Sequence, residues 1–118
     1  MTHKDLNVWR KAIEFVTTIY SSTSSFPQSE KFGLTNQIRR ASVSIPSNIA
    51  EGSARNHSKE FIQFLYIALS SASEVDTQIR ISENLSFIEK EKADGLLLEL
   101  ESISKMIQGL IRSIKNKE

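Results

Sequence analysis

The chain has 118 residues, enough for one hydrophobic core and too few for two large domains. Its 15 Lys and Arg residues nearly balance 14 Asp and Glu residues, so the formal net charge of +1 excludes a general attraction to nucleic acid or acidic membranes. The absence of cysteine excludes disulfides and thiolate metal sites. This absence, together with an N-terminus that lacks an apolar signal core, favours a cytoplasmic protein.

Charge is distributed unevenly along the sequence. Residues 1–59 contain eight basic and four acidic side chains, whereas residues 60–118 contain seven and ten. Two interpretations stay open. The asymmetry either orients subunits or presents a basic face to an anion, or it is the chance offset of a chain with many charges.

The first amphipathic segment predicts a helix over residues 5–24. Its apolar side chains recur at steps of three and four residues: Leu6, Trp9, Ile13, Val16 and Tyr20. Ala12, Phe15 and Ile19 broaden this stripe, as expected of a bundle helix with two neighbours. We interpret Trp9 as a core anchor rather than a base-stacking platform. The polar segment 21–29 contains Pro27 and predicts the first connection.

The second helix is predicted over residues 30–51, with Gly52 as a left-handed C-cap. Pro46 lies inside it and removes one backbone donor. The carbonyl of Ser42 is therefore expected to bind a water molecule or a nearby serine hydroxyl.

A polar stripe accompanies the apolar face of this second helix. Its members recur at steps of three and four residues: Gln37, Arg40, Ser44, Ser47, Asn48 and Glu51. Side chains stacked in this way can contact a neighbouring helix or another subunit. We expect Arg40 to pair with Glu74 or with Glu51 of another subunit. Glu51 of its own chain is too far away, because three helical turns separate the two residues.

The third and fourth helices are predicted over residues 58–83 and 87–115. Within the third, residues 61–69 are apolar on almost every side, since Ile62, Tyr66 and Leu69 form a second stripe beside the main one. A four-helix bundle leaves one side of each helix in water, so this excess predicts burial against another subunit. The four segments together predict one all-α domain over residues 1–118, an antiparallel up-down-up-down four-helix bundle.

The residues needed for catalysis or for a cofactor are not present in a recognisable pattern. A di-iron bundle would require Glu-x-x-His pairs, and neither His3 nor His57 has a glutamate three residues before it. No strand-turn-helix context presents a serine nucleophile, and the four glycines are isolated, so no phosphate-cradling loop is predicted. The sequence therefore predicts a protein without catalytic residues, metal, cofactor or small-molecule substrate.

Basic side chains are the remaining candidates for binding. Those that we consider for nucleic acid are Arg39, Arg55, Lys59, Lys4 and Lys11. Lysine and arginine bind phosphate, but they also serve simply to solvate a surface, and both interpretations stay open for these residues. Arg40 is interpreted as structural instead.

A specific motif extends over nearly the whole chain. Its residues are Leu6, Trp9, Phe26-Pro27, Glu30, Phe32-Gly33-Leu34, the segment 37–52 (QIRRASVSIPSNIAEG), Arg55, Glu60-Phe61 and Glu74. In these the chain resembles the 23S ribosomal RNA intervening-sequence protein family, whose members are often called four helix bundle proteins. It departs from the family pattern at Ser70-Ser71, where relatives usually have a Gly-Ser pair.

The resemblance implies a left-handed antiparallel four-helix bundle with relatives that form pentamers. It also implies a distant kinship to accessory proteins of diversity-generating retroelements, which bind nucleic acid and a reverse transcriptase. It implies no catalytic activity. The leading hypothesis is therefore a non-enzymatic homo-oligomer, a pentamer by resemblance, that binds structured RNA or a ribonucleoprotein. The alternative is an interaction scaffold without affinity for nucleic acid, which would use residues 61–69.

Overall fold

The structure, a computed structural model, describes residues 2–117, except for the side chain of Asp5. Four helices contain most of these residues: α1 (Asn7–Thr23), α2 (Leu34–Ser53), α3 (Ser58–Asn84) and α4 (Lys90–Asn116). Short 3-10 helices cover His3–Asp5 and Gln28–Glu30, and no strand occurs within residues 2–117. The predicted all-α four-helix architecture is confirmed.

Three helices begin later than predicted: α1 by two residues, and α2 and α4 by four and three residues for local reasons. Helix α2 begins at Leu34 rather than residue 30, because Gln28–Glu30 forms its own 3-10 turn. The Glu30 carboxylate then folds back and accepts a hydrogen bond from the Leu34 amide at 3.0 Å, which caps the helix. Before α4, Ser86 adopts a positive φ of 63° and ends the preceding helix, so α4 begins only at Lys90.

Two long-range contacts define the ends of the bundle. The rings of Phe26 and Phe87 lie 5.6 Å apart, which brings the α1–α2 and α3–α4 connections together at what we call the loop end. At the opposite end, the Lys115 ammonium donates to the Tyr66 hydroxyl at 3.2 Å, so the end of α4 meets the first half of α3. This terminal end also contains the start of α1 and the α2–α3 connection. The bundle measures 47 × 24 × 20 Å.

The buried face of α1 differs from the predicted one. Val8, Ala12, Phe15 and Ile19 enter the core, whereas Ile13 and Tyr20 are 41% and 44% exposed. The main stripe predicted for the first helix was therefore wrong by about one residue, although Trp9 does pack against the core from its edge. Two apolar stripes share this helix, and spacing alone does not rank them.

Helices α2 and α3 approach each other closely at Gly52. A Cβ atom at this position would lie 2.7 Å from Cβ of Phe64 and 2.9 Å from a ring carbon of Phe61. Gly52 is buried inside α2, which continues to Ser53, and no glycine among the described residues has a positive φ. The left-handed cap predicted for Gly52 is therefore wrong, because this glycine provides room for α3 rather than backbone freedom.

Replacing Gly52 by alanine tests this packing role. The new methyl group would overlap Phe64 and Phe61, so we expect G52A to lower the free energy of unfolding by about 1–3 kcal/mol. Gly95 is the matched control, because it lies in a helix and a Cβ added to it would have no other atom within 4 Å. G95A should raise the free energy of unfolding by about 0.5–1 kcal/mol. Urea denaturation followed by circular dichroism measures both, and equal effects of the two substitutions would contradict the assignment.

Candidate nucleic-acid interface

Charge in the folded chain is separated along the long axis of the bundle. A hydrogen bond of 2.8 Å between the hydroxyls of Ser44 and Ser71 marks its middle. The half that contains the terminal end, residues 2–14, 45–70 and 104–117, has nine Lys and Arg residues against four Asp and Glu residues. The other half, residues 15–44 and 71–103, has six against nine. Folding therefore keeps a charge difference about as large as that between the two halves of the sequence and places it along the long axis of the bundle.

The up-down topology explains this arrangement. Helix α4 returns to the end at which α1 begins, so the basic C-terminal segment joins the basic N-terminal segment. Of the nine cations in the half that contains this end, Lys105 pairs with Glu101 at 3.0 Å. The other eight are the cations of the terminal end: Lys4, Arg10, Lys11, Arg55, Lys59, Arg112, Lys115 and Lys117. Four of the five predicted nucleic-acid residues are among them. The sequence-based prediction missed the other four, which could have been found by pairing the two ends of the chain in the predicted bundle.

Several of these cations are available to a ligand. Lys4, Lys11 and Lys59 are exposed, and none of them forms an ion pair with the side chains that the structure describes. Arg10 is also exposed, but its guanidinium donates to the carbonyl of Lys4 at 2.8 Å. This bond holds the segment before α1 against the helix and fixes the direction of a second positive charge beside Lys4.

Arg55 is partly neutralised within the chain. Its guanidinium lies 3.9 Å from the Glu51 carboxylate and 3.8 Å from the Glu60 carboxylate. It also lies 4.8 Å from the centre of the Phe64 ring. Arg55 therefore joins the end of α2 to the start of α3 and presents less free charge than Lys59 does.

Arg39 lies away from the terminal end and has a packing role. Its Nε donates to the Thr23 hydroxyl at 2.9 Å, and a terminal nitrogen donates to the Tyr20 carbonyl at 3.2 Å. The guanidinium also lies 4.6 Å from the centre of the Tyr20 ring. These bonds connect the end of α1 to α2, so the candidate anion contact Arg39 also has partners within the chain.

The neighbouring Arg40 behaves in the opposite way. Arg40 and Glu74 are both exposed, and the ion pair expected between them does not form. The structural role that the sequence suggested for Arg40 within its own chain belongs instead to Arg39. Arg40 therefore has no carboxylate partner among the described side chains.

The polar stripe of α2 divides into two parts. Ser44 and Asn48 face α3: the Asn48 amide donates to the carbonyl and hydroxyl of Ser44 at 2.8 and 2.9 Å, and Ser44 in turn contacts Ser71. Gln37, Arg40, Ser47 and Glu51 are exposed. Two serine hydroxyls near the Ser42 carbonyl have other partners: Ser42 itself donates to the Arg39 carbonyl at 2.9 Å, and Ser44 bonds to Ser71.

The predicted apolar excess of α3 is exposed only in part. Ile62 and Leu69 pack against the core at half burial, whereas Tyr66, directed towards Lys115 of α4, and Ile67 are both exposed. On α2 and α3 the exposed aliphatic side chains are Val43, Ile67 and Ile81. We call this surface, with Arg40, Ser47 and Glu74, the outer α2–α3 face.

Two of the six cations of the other half, Lys90 and Arg80, are paired with carboxylates one helical turn away. A hydrogen bond to Asp94, reinforced by its charge, raises the pKa of Lys90, and Asp76 raises the pKa of Arg80 in the same way. Among the described residues no three His, Cys, Asp or Glu side chains are placed to share a metal ion. None of the helices in residues 2–117 combines the length and apolarity needed to cross a membrane.

The reversed roles of the two adjacent arginines can be measured. R39A removes the hydrogen bonds to Thr23 and Tyr20, so it should lower the free energy of unfolding by about 1–2 kcal/mol. R40A removes an exposed side chain without an intrachain partner and should change this free energy by less than about 0.5 kcal/mol. Thermal melts at low protein concentration compare the two. A larger loss in R40A would show that the roles are assigned wrongly.

Similarity to known proteins agrees with this geometry. A search of curated proteins found no relative of this chain. Among solved structures, a protein with unknown function from the S23 ribosomal protein family of Bacteroides thetaiotaomicron superposes with a TM-score of 0.79. It is 26% identical, and the match covers 88% of this chain and 97% of that one. The family model for the 23S rRNA-intervening sequence protein matches residues 4–109. The chain therefore belongs to the 23S rRNA-intervening sequence protein family, as the motif predicted.

Proposed function

We propose that the protein is a non-enzymatic homo-oligomer that binds structured RNA, or RNA within a ribonucleoprotein, through the terminal end of each bundle. The observation that carries the proposal is the excess of nine cations over four carboxylates in that half of the bundle, with Lys4, Lys11 and Lys59 unpaired among the described side chains. Phosphate contacts provide most of the sequence-independent affinity for nucleic acid, and they require free cations of this kind.

The outer α2–α3 face supports association of subunits. Val43, Ile67 and Ile81 are 39%, 47% and 42% exposed, and Arg40 and Glu74 beside them have no intrachain ion-pair partner among the described residues. Burial of this face against a second copy would remove aliphatic surface from water and supply partners for both charges. The resemblance implies five subunits.

Association would also strengthen binding to RNA. Subunits that pack side by side around an axis parallel to their helices would present all their terminal ends on one side of the ring. Each free lysine would then be repeated once per subunit. After one subunit binds an RNA, the lysines of its neighbours would meet the same RNA at a high effective concentration, so the whole ring would bind more tightly than one subunit. A chain with a net charge of only +1 can bind RNA in this way.

The apolar part of the outer α2–α3 face also favours a second candidate, a protein-interaction scaffold without affinity for nucleic acid. Its partner would be a different protein that covers Val43, Ile67 and Ile81. The two candidates differ in their dependence on salt, since phosphate contacts weaken steeply with ionic strength and apolar contacts do not.

Charge reversal at the terminal end tests RNA binding. We expect Lys4→Glu and Lys59→Glu each to weaken RNA binding and to reduce the slope of log affinity against log salt by about 0.7 to 0.9 per lost phosphate contact. Lys92→Glu is the matched control, because Lys92 is exposed and lies at the loop end. Filter binding over a series of salt concentrations measures all three. An RNA affinity that does not change with salt concentration would contradict the proposal, and so would a loss of affinity in Lys92→Glu as large as that in the other two variants.

A second experiment tests the subunit interface separately. Ile67→Glu places a charge in the middle of the outer α2–α3 face, so it should convert the oligomer into monomers. Leu98→Glu adds the same charge at a more exposed position on α4, 69% accessible, and should leave the mass unchanged. Light scattering after size-exclusion chromatography gives both masses. A wild-type monomer, or an oligomer that survives Ile67→Glu, would contradict this interface.

A further inference from the structure

We infer that Tyr66, together with Lys115 and Lys59, forms a subsite for unpaired nucleotides, in which a base stacks on the tyrosine ring and the lysines bind the flanking phosphates. The inference rests on the proposed RNA binding and deepens it. It assigns single-stranded segments, rather than duplex, as the part of the RNA that the terminal end recognises.

The geometry around Tyr66 leaves its ring open to a base. Tyr66 is 47% exposed, although it lies on a helix that is otherwise well packed. The Lys115 ammonium lies 3.2 Å from the hydroxyl oxygen but 5.6 Å from the ring centre. The much shorter distance to the oxygen places the ammonium beyond the hydroxyl edge, so the charge does not cover either face of the ring.

The two lysines lie where phosphates beside a stacked base would be. Lys115 is held next to the ring by its hydrogen bond to the hydroxyl. Lys59 is seven residues before Tyr66 on α3, two helical turns and about 10 Å along the axis, and therefore on the same side of the helix. Lys59 is exposed and has no ion pair with the described side chains.

An aromatic ring between cations favours single strands over duplex. The bases of an RNA duplex are stacked on one another and cannot reach a side chain on a convex surface, whereas unpaired bases can stack on tyrosine. Lysines alone would bind both forms through phosphate. A preference for unpaired nucleotides is therefore the property that the ring would add.

The same features argue against Tyr66 as part of the subunit interface. Tyr66 lies at the edge that α3 shares with α4, as its bond to Lys115 requires. The exposed aliphatic residues Ile67 and Ile81 lie on the outward side of α3 instead. An interface on the outer α2–α3 face would leave the Tyr66 ring accessible.

Two substitutions of Tyr66 test the subsite, with an oligouridylate and a blunt RNA duplex of equal length as probes. Tyr66→Leu keeps apolar bulk but removes the ring, so it should weaken binding of the oligouridylate about tenfold and binding of the duplex less than about twofold. Tyr66→Phe keeps the ring and should stay within about twofold of the wild type for both probes.

Tyr20 provides a matched control, because it is 44% exposed and has an arginine beside its ring, but it lies at the loop end. Tyr20→Leu should leave binding of both probes unchanged. Circular dichroism establishes that each variant is folded, and light scattering gives its mass.

The outcomes separate this inference from the proposed function. Salt-dependent binding that Tyr66→Leu leaves intact for both probes would overturn the subsite and leave RNA binding by the terminal end standing. A fall in oligomer mass in Tyr66→Leu would place Tyr66 in a protein interface and would also overturn the subsite. No binding of either probe by the wild-type protein would overturn both.

Discussion

The close approach of α2 and α3 is the constraint on which the rest of the structure depends. A side chain at Gly52 would overlap Phe61 and Phe64, and the hydroxyls of Ser44 and Ser71 meet at 2.8 Å halfway along the pair. These two contacts fix the register of the helices. The polar side chains between the two helices, such as Ser44 and Ser71, bond to each other, whereas Arg40, Ser47 and Glu74 remain exposed on the outer side. Tight packing within one chain thus creates the surface that we assign to association.

The motif that identifies the family is explained mainly by this packing. Glu30 caps α2, Arg39 connects it to α1, and Gly52 admits α3. Glu60 and Arg55 hold the α2–α3 connection. Each of these residues has a structural role that the contacts of this chain account for. Membership of the family therefore predicts the fold strongly, and RNA binding has to be argued from residues outside the motif, such as Lys4, Lys59 and Tyr66.

The sequence predicted the fold well and the candidate site only in part. Hydrophobic periodicity indicated four helices, and the turn-prone segments placed their connections. Periodicity did not show which of the two apolar stripes of the first helix faces the core, because Ile13 and Phe15 are both apolar but only Phe15 is buried. The sequence also did not predict that Arg39 packs against α1 while Arg40 is exposed. This difference depends on which flank of α2 meets Tyr20 and Thr23 of α1, and local spacing does not contain that information.

The charge pattern shows why four cations of the candidate site were missed in the sequence. Summed over the chain, the charges nearly cancel, and in sequence order the basic residues of the two termini lie about a hundred positions apart. An antiparallel bundle of four helices brings those termini to one end, and the half of the bundle around it has nine cations against four carboxylates. Arg80 and Lys90 of the other half are paired with Asp76 and Asp94, one helical turn away. Lys4, Lys11 and Lys59 of the terminal end form no such pair with the described side chains, so an external polyanion would supply the missing negative charge.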